Sequence, residues 1–512
     1  MTTLVMIGLL FLGEQVFAFN AKPDSTKHAT PPVEQKSVTS GSVTIQGKRI
    51  DYTATAGTII LKDDSGKPTA SMFYVAYTKK GDNSTDRPVT FFWNGGPGSS
   101  SVWLHMGAFG PRRVKTNDHT HTPAAPYTLL NNDYSLLDVT DEVFVDAVGT
   151  GYSRIIAKDK GGAGEPDNFY GIDTDARSFA DFIGNYLSEN NRWNSPKYIF
   201  GESYGTTRAA LLSKVLEMND SIDLNGVILL SSILDFHTAS YNAGNDLPYE
   251  LFLPSMTATA WYHHKLPDQP QQLQPLLSKV EHFALTDYAE ALAEGNKMDP
   301  STRSSIISQL HSYTGLPKSY IDKANLRVTA AEFEKQLLAD SDRTTGRLDT
   351  RYTGPTMDPL SQTREYDPHS ASIQSAFVSM FNEYVHHDLK FGKNMHYRSM
   401  YGTASNDWKW KHYNRTDGQS WPGSPNVAVD LTQALKYNPD LKVLVNSGYF
   451  DLGTPFFATD YTIDHLELPP DLRKNIETKY YQSGHMVYLH IPSLKRLHDN
   501  VAQFITRTDN EK

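Results

Sequence analysis

The sequence predicts an α/β fold, with a mostly parallel central sheet, helices on both faces and an inserted, mainly helical cap. Three observations point there. Short apolar runs recur along the chain, each about the length of a buried strand. Several are followed by a Gly-rich turn and then by apolar residues at helical spacing. The series stops after Leu230 and resumes at Leu441, a gap too wide for a loop.

In chain order, Leu4 to Leu12 is apolar and Val16-Phe17-Ala18 ends in a small residue. Residues 1–18 therefore read as a secretory signal, although no Lys or Arg precedes the run. The run is too short to span a bilayer, and no later segment is uniformly apolar over the length a span requires. Residues 19–40 are polar and rich in Pro, Ser and Thr, and read as a flexible lead-in. From Ser42 to Lys79, alternating segments such as Val43-Thr44-Ile45 and Met72-Phe73-Tyr74-Val75, broken by Asp64-Ser65-Gly66, read as antiparallel strands.

The runs expected to form parallel strands are Val89 to Trp93, Glu142 to Val145, Lys197 to Phe200, Gly226 to Leu230, Leu441 to Val445 and Lys479 to Tyr481. A helix opens at Asp173-Thr174-Asp175-Ala176 and continues through Phe179, Phe182, Ile183 and Tyr186. The core is thus assigned to 41–234 and 426–512, with the cap at 235–425. Within the cap, Leu273 to Glu294, Ser301 to Tyr313 and Thr329 to Leu338 read as helices. The last opens on a capping box, Thr329-Ala330-Ala331-Glu332.

Composition excludes several classes. The chain has 512 residues, 39% of them hydrophobic and 21% charged, which is ordinary globular protein. A net charge of −10 without a basic block argues against nucleic acid or anionic lipid as partner. The absence of cysteine removes thiol catalysis, disulfides and thiolate metal sites.

The chemistry gathers at strand ends. Gly201-Glu202-Ser203-Tyr204-Gly205 follows the run Tyr198-Ile199-Phe200 and precedes a helical stretch, Thr207 to Leu216. A G-x-S-x-G sequence between strand and helix is the nucleophile elbow of the α/β-hydrolase fold. A serine hydroxyl needs a base, and the base needs an orienting acid. In this fold the acid and then the histidine follow the serine. Asp451 comes just after Val443-Leu444-Val445, and His485 just after Tyr480-Tyr481. Asp460 and His490 are the nearest competitors, each further beyond its strand. Asn94-Gly95-Gly96-Pro97-Gly98 also follows a strand, where a Gly-rich turn can offer backbone N–H groups to an oxyanion.

At these residues the chain resembles the serine carboxypeptidases. The matching segments are Trp93 to Gly98, Val145-Asp146-Ala147-Val148-Gly149-Thr150-Gly151-Tyr152-Ser153, Gly201 to Gly205, Gly448 to Pro455, and Gly484-His485 with Pro492 beyond. The resemblance implies a triad of Ser203, Asp451 and His485. It implies an oxyanion hole from the N–H groups of Gly96 and Tyr204. It also implies that Asn94, the Gly95 N–H and Glu202 hold the C-terminal carboxylate of a peptide or protein substrate. Two carboxylates share a hydrogen bond only if one is protonated, so Glu202 should act as a neutral acid. No cofactor or metal is implied, and no stable membrane association once the signal is removed. The implied location is secreted or periplasmic.

Two departures stand out. Members of that family, in eukaryotes, usually have Cys where this chain has Ser99. They often carry a second Glu fourteen residues after the Asn, where this chain has Ala108, closely followed by Arg112 and Arg113. The alternatives are an esterase or acyltransferase with the same machinery, or an inactive binding protein. His263-His264 and His386-His387 read as surface pairs rather than metal ligands. The run Trp408 to Tyr413 reads as cap packing or cleft wall. Asn83, Asn219 and Asn414 begin N-x-S/T sequons, meaningful only in a secretory eukaryotic host.

Overall fold

In the computed structural model, which describes residues 32–82, 85–412 and 423–509, successive residues of the central strands face opposite ways and are buried on both sides. Phe91 and Phe92 join different apolar clusters, as do Val143 and Phe144, Ile199 and Phe200, and Leu229 and Leu230. A strand that is apolar on both faces needs a covering layer on each. Helices Ile172–Glu189, Tyr204–Lys214 and Ala428–Tyr437 cover one face. Helices Pro368–His387 and Ile491–Thr508 cover the other.

The strands are β1 (Lys36–Ile45), β2 (Lys48–Lys62), β3 (Pro68–Lys79), β4 (Val89–Trp93), β5 (Asp141–Val145), β6 (Lys197–Glu202), β7 (Gly226–Leu230), β8 (Lys442–Gly448) and β9 (Ile476–Tyr481). Their order in the sheet is β1-β2-β3-β5-β4-β6-β7-β8-β9. Pairs as far as β3 with β5 are antiparallel, and every later pair is parallel. This is the mostly parallel α/β-hydrolase architecture expected from the sequence.

The expected signal at 1–18 and most of the expected lead-in lie outside the described residues. The lead-in was expected to reach residue 40, but β1 already begins at Lys36. Lys36 pairs with Gly57 and Ser40 with Thr53. A long partner strand satisfies this polar backbone, which composition alone does not reveal.

Residues 235–425 pack in two ways. Helices Leu247–Tyr262, Leu273–Phe283, Pro300–Thr314 and Ala330–Gln336 build their own apolar cluster, closed by Tyr449, Phe450 and Phe456 from beyond β8. Helix Pro368–His387 instead lays Phe377, Phe381 and Tyr384 into the sheet's second layer. The capping box at Thr329 and Glu332 is formed.

Register brings the strand ends together. Trp93 stands beside Gly201, Leu230 beside both Glu202 and Asn446, and Gly448 beside Tyr481. The loops after β4, β6, β8 and β9 therefore open on one edge, where parallel sheets hold their ligands. Among the described residues, no helix is long and apolar enough to cross a membrane.

Candidate active site

Ser203 sits between the end of β6 and the first residue of helix Tyr204–Lys214, with φ 62° and ψ −131°. A side chain at positive φ is strained and persists only where its surroundings enforce it. The flanking glycines make the turn possible. A Cβ at Gly201 would lie 2.0 Å from the Gly205 carbonyl oxygen, and one at Gly205 would lie 2.9 Å from Trp93 Cδ1.

The loop after β4 is pressed against this elbow. A Cβ at Gly95 would lie 2.4 Å from the Tyr204 nitrogen, so the two backbones are in contact. Trp93 Nε1 donates to the Gly205 carbonyl at 2.8 Å, and Arg208 Nη1 donates to the Asn94 carbonyl at 3.0 Å. Arg208 is itself held by Asp175, with Nε 2.7 Å from Oδ2. The Tyr204 N–H, at the first turn of its helix, has no intrahelical acceptor.

Asp451 and His485 meet from the loops after β8 and β9. His485 Nδ1 lies 2.7 Å from Asp451 Oδ2. A carboxylate only accepts, so Nδ1 carries the proton and Nε2 is left with a free lone pair. Asp451 Oδ1 accepts from the N–H groups of Gly453 at 2.7 Å and Thr454 at 3.0 Å. Burial opposes a charge on His485, but Asp451 outweighs it and the imidazole is held above its ordinary value. Ser203 and His485 line one cavity of about 340 Å³. Among the described residues no hydrogen bond joins Ser203 Oγ to His485 Nε2. Asp460 is engaged by the Tyr480 hydroxyl at 2.9 Å and His490 by Ser493 at 2.8 Å, away from this cavity.

Glu202, Asn94 and Gly95 line the same cavity. Glu202 is buried, and burial pushes its carboxyl up to about 7, although His485, Tyr488 and Asn94 each favour the anion. Ala108 is buried in the turn His105–Phe109. Neither Arg112 nor Arg113, which follow Ala108 in sequence, is among the groups that shift Glu202. Arg113 faces Tyr134 and Asp133, and Arg112 faces Tyr52.

A second cavity of about 520 Å³ also opens on Ser203 and Tyr204, with Phe236, Tyr241, Phe252 and Trp410 in its wall. Gly96, Ser203 and Arg347 line both cavities. The aromatic run thus contributes Trp410 to a wall, while Trp408 packs on the Tyr204 ring at 5.3 Å; Tyr413 lies outside the described residues. His263 bonds the Thr350 carbonyl and His386 the Tyr152 hydroxyl. Among the described residues, no cluster of three His, Asp or Glu could hold a metal ion.

Three contributors were not legible in the sequence. Thr454 Oγ1 lies 2.8 Å from Asp451 Oδ2 and 2.9 Å from the Ser231 carbonyl. Tyr488 donates to Glu202 at 2.9 Å. The inserted segment around Leu348 and Asp349 braces the histidine loop, because His485 N–H donates to the Leu348 carbonyl at 2.6 Å and Gly484 N–H to Asp349 at 3.2 Å.

Against known proteins, a family model described as serine carboxypeptidase matches residues 50–490. The pheromone-processing carboxypeptidase KEX1 of Saccharomyces cerevisiae is 26% identical over 189 residues, 35% of this chain and 25% of that protein. The match thus spans about a quarter of that curated relative's length. The crystal structure of Kex1(delta)p, a prohormone-processing carboxypeptidase from Saccharomyces cerevisiae, superimposes with a TM-score of 0.54 at 18% identity. It covers 89% of this chain and 91% of that one, and at this identity it speaks to the fold.

Proposed function

The chain belongs to the serine carboxypeptidase family, and from that premise we propose that it releases the C-terminal residue of peptides through an acyl-enzyme on Ser203. Ser203 Oγ attacks the last peptide carbonyl, and His485 Nε2 takes its proton and passes it to the leaving amine. Asp451 holds the ring and offsets the charge that forms on it. The N–H groups of Gly96 and Tyr204 receive the oxyanion. Water then attacks the acyl-enzyme by the same route in reverse.

The observation that carries the exopeptidase reading is Glu202, buried in the cavity that holds Ser203 and His485, with its carboxyl near 7. Below that pH the group is neutral and can donate to a substrate carboxylate, with Asn94 and the Gly95 N–H as further donors. Above it, two anions would face each other in a buried site. The cavity with Glu202 would take the leaving residue, and the cavity with Phe236 and Trp410 the acyl side.

Ala108 favours a second reading, an esterase or acyltransferase, because the second acid that helps recognise a carboxylate is missing. Hydrolysis of a blocked dipeptide, compared with its C-terminal amide and followed by mass spectrometry, separates the two. Release of the last amino acid with preference for the free acid supports the carboxypeptidase. Equal rates on both support the alternative. Leu4 to Leu12 and Ala18 support export, to the periplasm or the medium. N-terminal sequencing of the mature protein tests this, and a chain that retains Met1 contradicts it.

A further inference from the structure

Tyr488 is 1% exposed and stands in the short turn Val487–Leu489, just past His485. Its hydroxyl lies 2.9 Å from Glu202 Oε2 and 3.2 Å from Oε1. Asn94 also bonds the phenol oxygen, so its proton is directed at Glu202. The ring packs on the turn His105–Phe109, where a Cβ at Gly107 would lie 2.6 Å from Tyr488 Cε2. The small pair Gly107-Ala108 therefore makes room for this aromatic, beside the position where relatives often carry a second acid. We propose that Tyr488 is the positioning residue for substrate carboxylate recognition, holding the Glu202 carboxyl from behind as a fixed hydrogen-bond donor. This rests on the carboxypeptidase reading above.

A second glutamate would share its proton with Glu202 and would itself titrate. Burial pushes the Tyr488 phenol far up, so it stays a donor wherever Glu202 titrates. When Glu202 takes a proton, the new O–H points away from Tyr488 and into the cavity, toward a substrate carboxylate. The other groups facing Glu202 are Asn94 from the loop after β4, Asp451 from the loop after β8 and His485 from the loop after β9. Arg347 lines the same cavity from the inserted residues. His105, on the turn packed against Tyr488, bonds Tyr77 instead, and burial holds it neutral with a value of about 3. Tyr488 and Asn94 are thus the neutral donors of the set, and each favours the Glu202 anion.

The test is kcat/KM against pH for the wild type and Tyr488→Phe, on a blocked dipeptide and on its C-terminal amide. The phenyl ring still fills the space over Gly107. Loss of the donor should move the alkaline limb on the free acid upward by about one pH unit, because the anion of Glu202 loses a partner. The plateau should fall several-fold, mainly through KM. On the amide the limbs of the two enzymes should coincide. Coincident limbs on the free acid would overturn the role of Tyr488. A wild type that does not distinguish the free acid from the amide would instead overturn the underlying reading. Calorimetric binding of the blocked dipeptide to Ser203→Ala, with and without Tyr488→Phe, gives a second readout without turnover. The double variant should bind several-fold more weakly at about pH 5, and equal affinity would contradict the proposal.

Discussion

Asp451 Oδ2 lies 2.7 Å from His485 Nδ1, and that contact decides which ring nitrogen is left for Ser203. The same carboxylate oxygen is 2.8 Å from Thr454 Oγ1, which is also 2.9 Å from the Ser231 carbonyl. Both are acceptors, so the single Thr454 hydroxyl proton is shared between the acid and the residue just after β7. Thr454→Val keeps the shape and removes the hydroxyl. We expect kcat to fall roughly ten-fold, about one hydrogen bond's worth, with KM little changed. An unchanged kcat would show that the two backbone N–H groups at Oδ1 suffice to hold Asp451.

Ser203 carries φ 62° because the elbow requires it. Relief of that strain should be measurable as stability. Ser203→Gly should unfold at higher urea concentration than Ser203→Ala, by about 1 kcal/mol, since only glycine accepts this backbone at little cost. Both variants should lack activity and resist fluorophosphonate labelling. Equal stability would mean that the surrounding contacts, not the serine backbone, absorb the cost.

The raised carboxyl of Glu202 has a thermodynamic counterpart. Its value is 4.5 in the reference state and about 7 in the folded protein. Between those values the folded chain keeps a proton that the unfolded chain releases. The associated stability is present below about pH 4.5 and is lost as pH rises through 7. Glu202→Gln does not titrate. Relative to the wild type it should gain up to about 3 kcal/mol between about pH 4 and pH 8. Parallel stability curves for the two proteins would place the Glu202 carboxyl at an ordinary value.

The strands and the elbow were legible because both rest on local pattern. Phe91 and Phe92, or Leu229 and Leu230, are buried on opposite faces, so an unbroken apolar run marks a central strand. Gly201 and Gly205 are forced by backbone contact within a few residues of Ser203. Chain order after β8 and β9 then picked out Asp451 and His485 among the 18 histidines and many carboxylates of the chain. What was missed depends on contacts between distant segments. Tyr488 reaches Glu202 across 286 positions, and Thr454 reaches Ser231 across 223. Nothing in the run Met486-Val487-Tyr488-Leu489 distinguishes a site residue from core. Arg347 stands in a stretch without any motif, and only packing brings it to the cavities that Ser203 also lines. Whether Arg112 or Arg113 lies near Glu202 was not legible in the sequence for the converse reason. Nearness to Ala108 in sequence says nothing of direction, and the short strand Arg112–Val114 turns them toward Tyr52 and Tyr134.

Glu202 is proposed as the proton-bearing sensor of a free C-terminus. The most direct test is kcat/KM against pH for the wild type and Glu202→Gln on a blocked dipeptide with a free carboxylate. The wild type should decline as pH rises through about 7, where burial holds the Glu202 carboxyl. The glutamine amide donates at any pH, so the variant should lose that decline, while both proteins show matching profiles on the C-terminal amide. An identical alkaline fall in wild type and variant on the free acid would contradict the assignment of Glu202, and with it the main support for exopeptidase action.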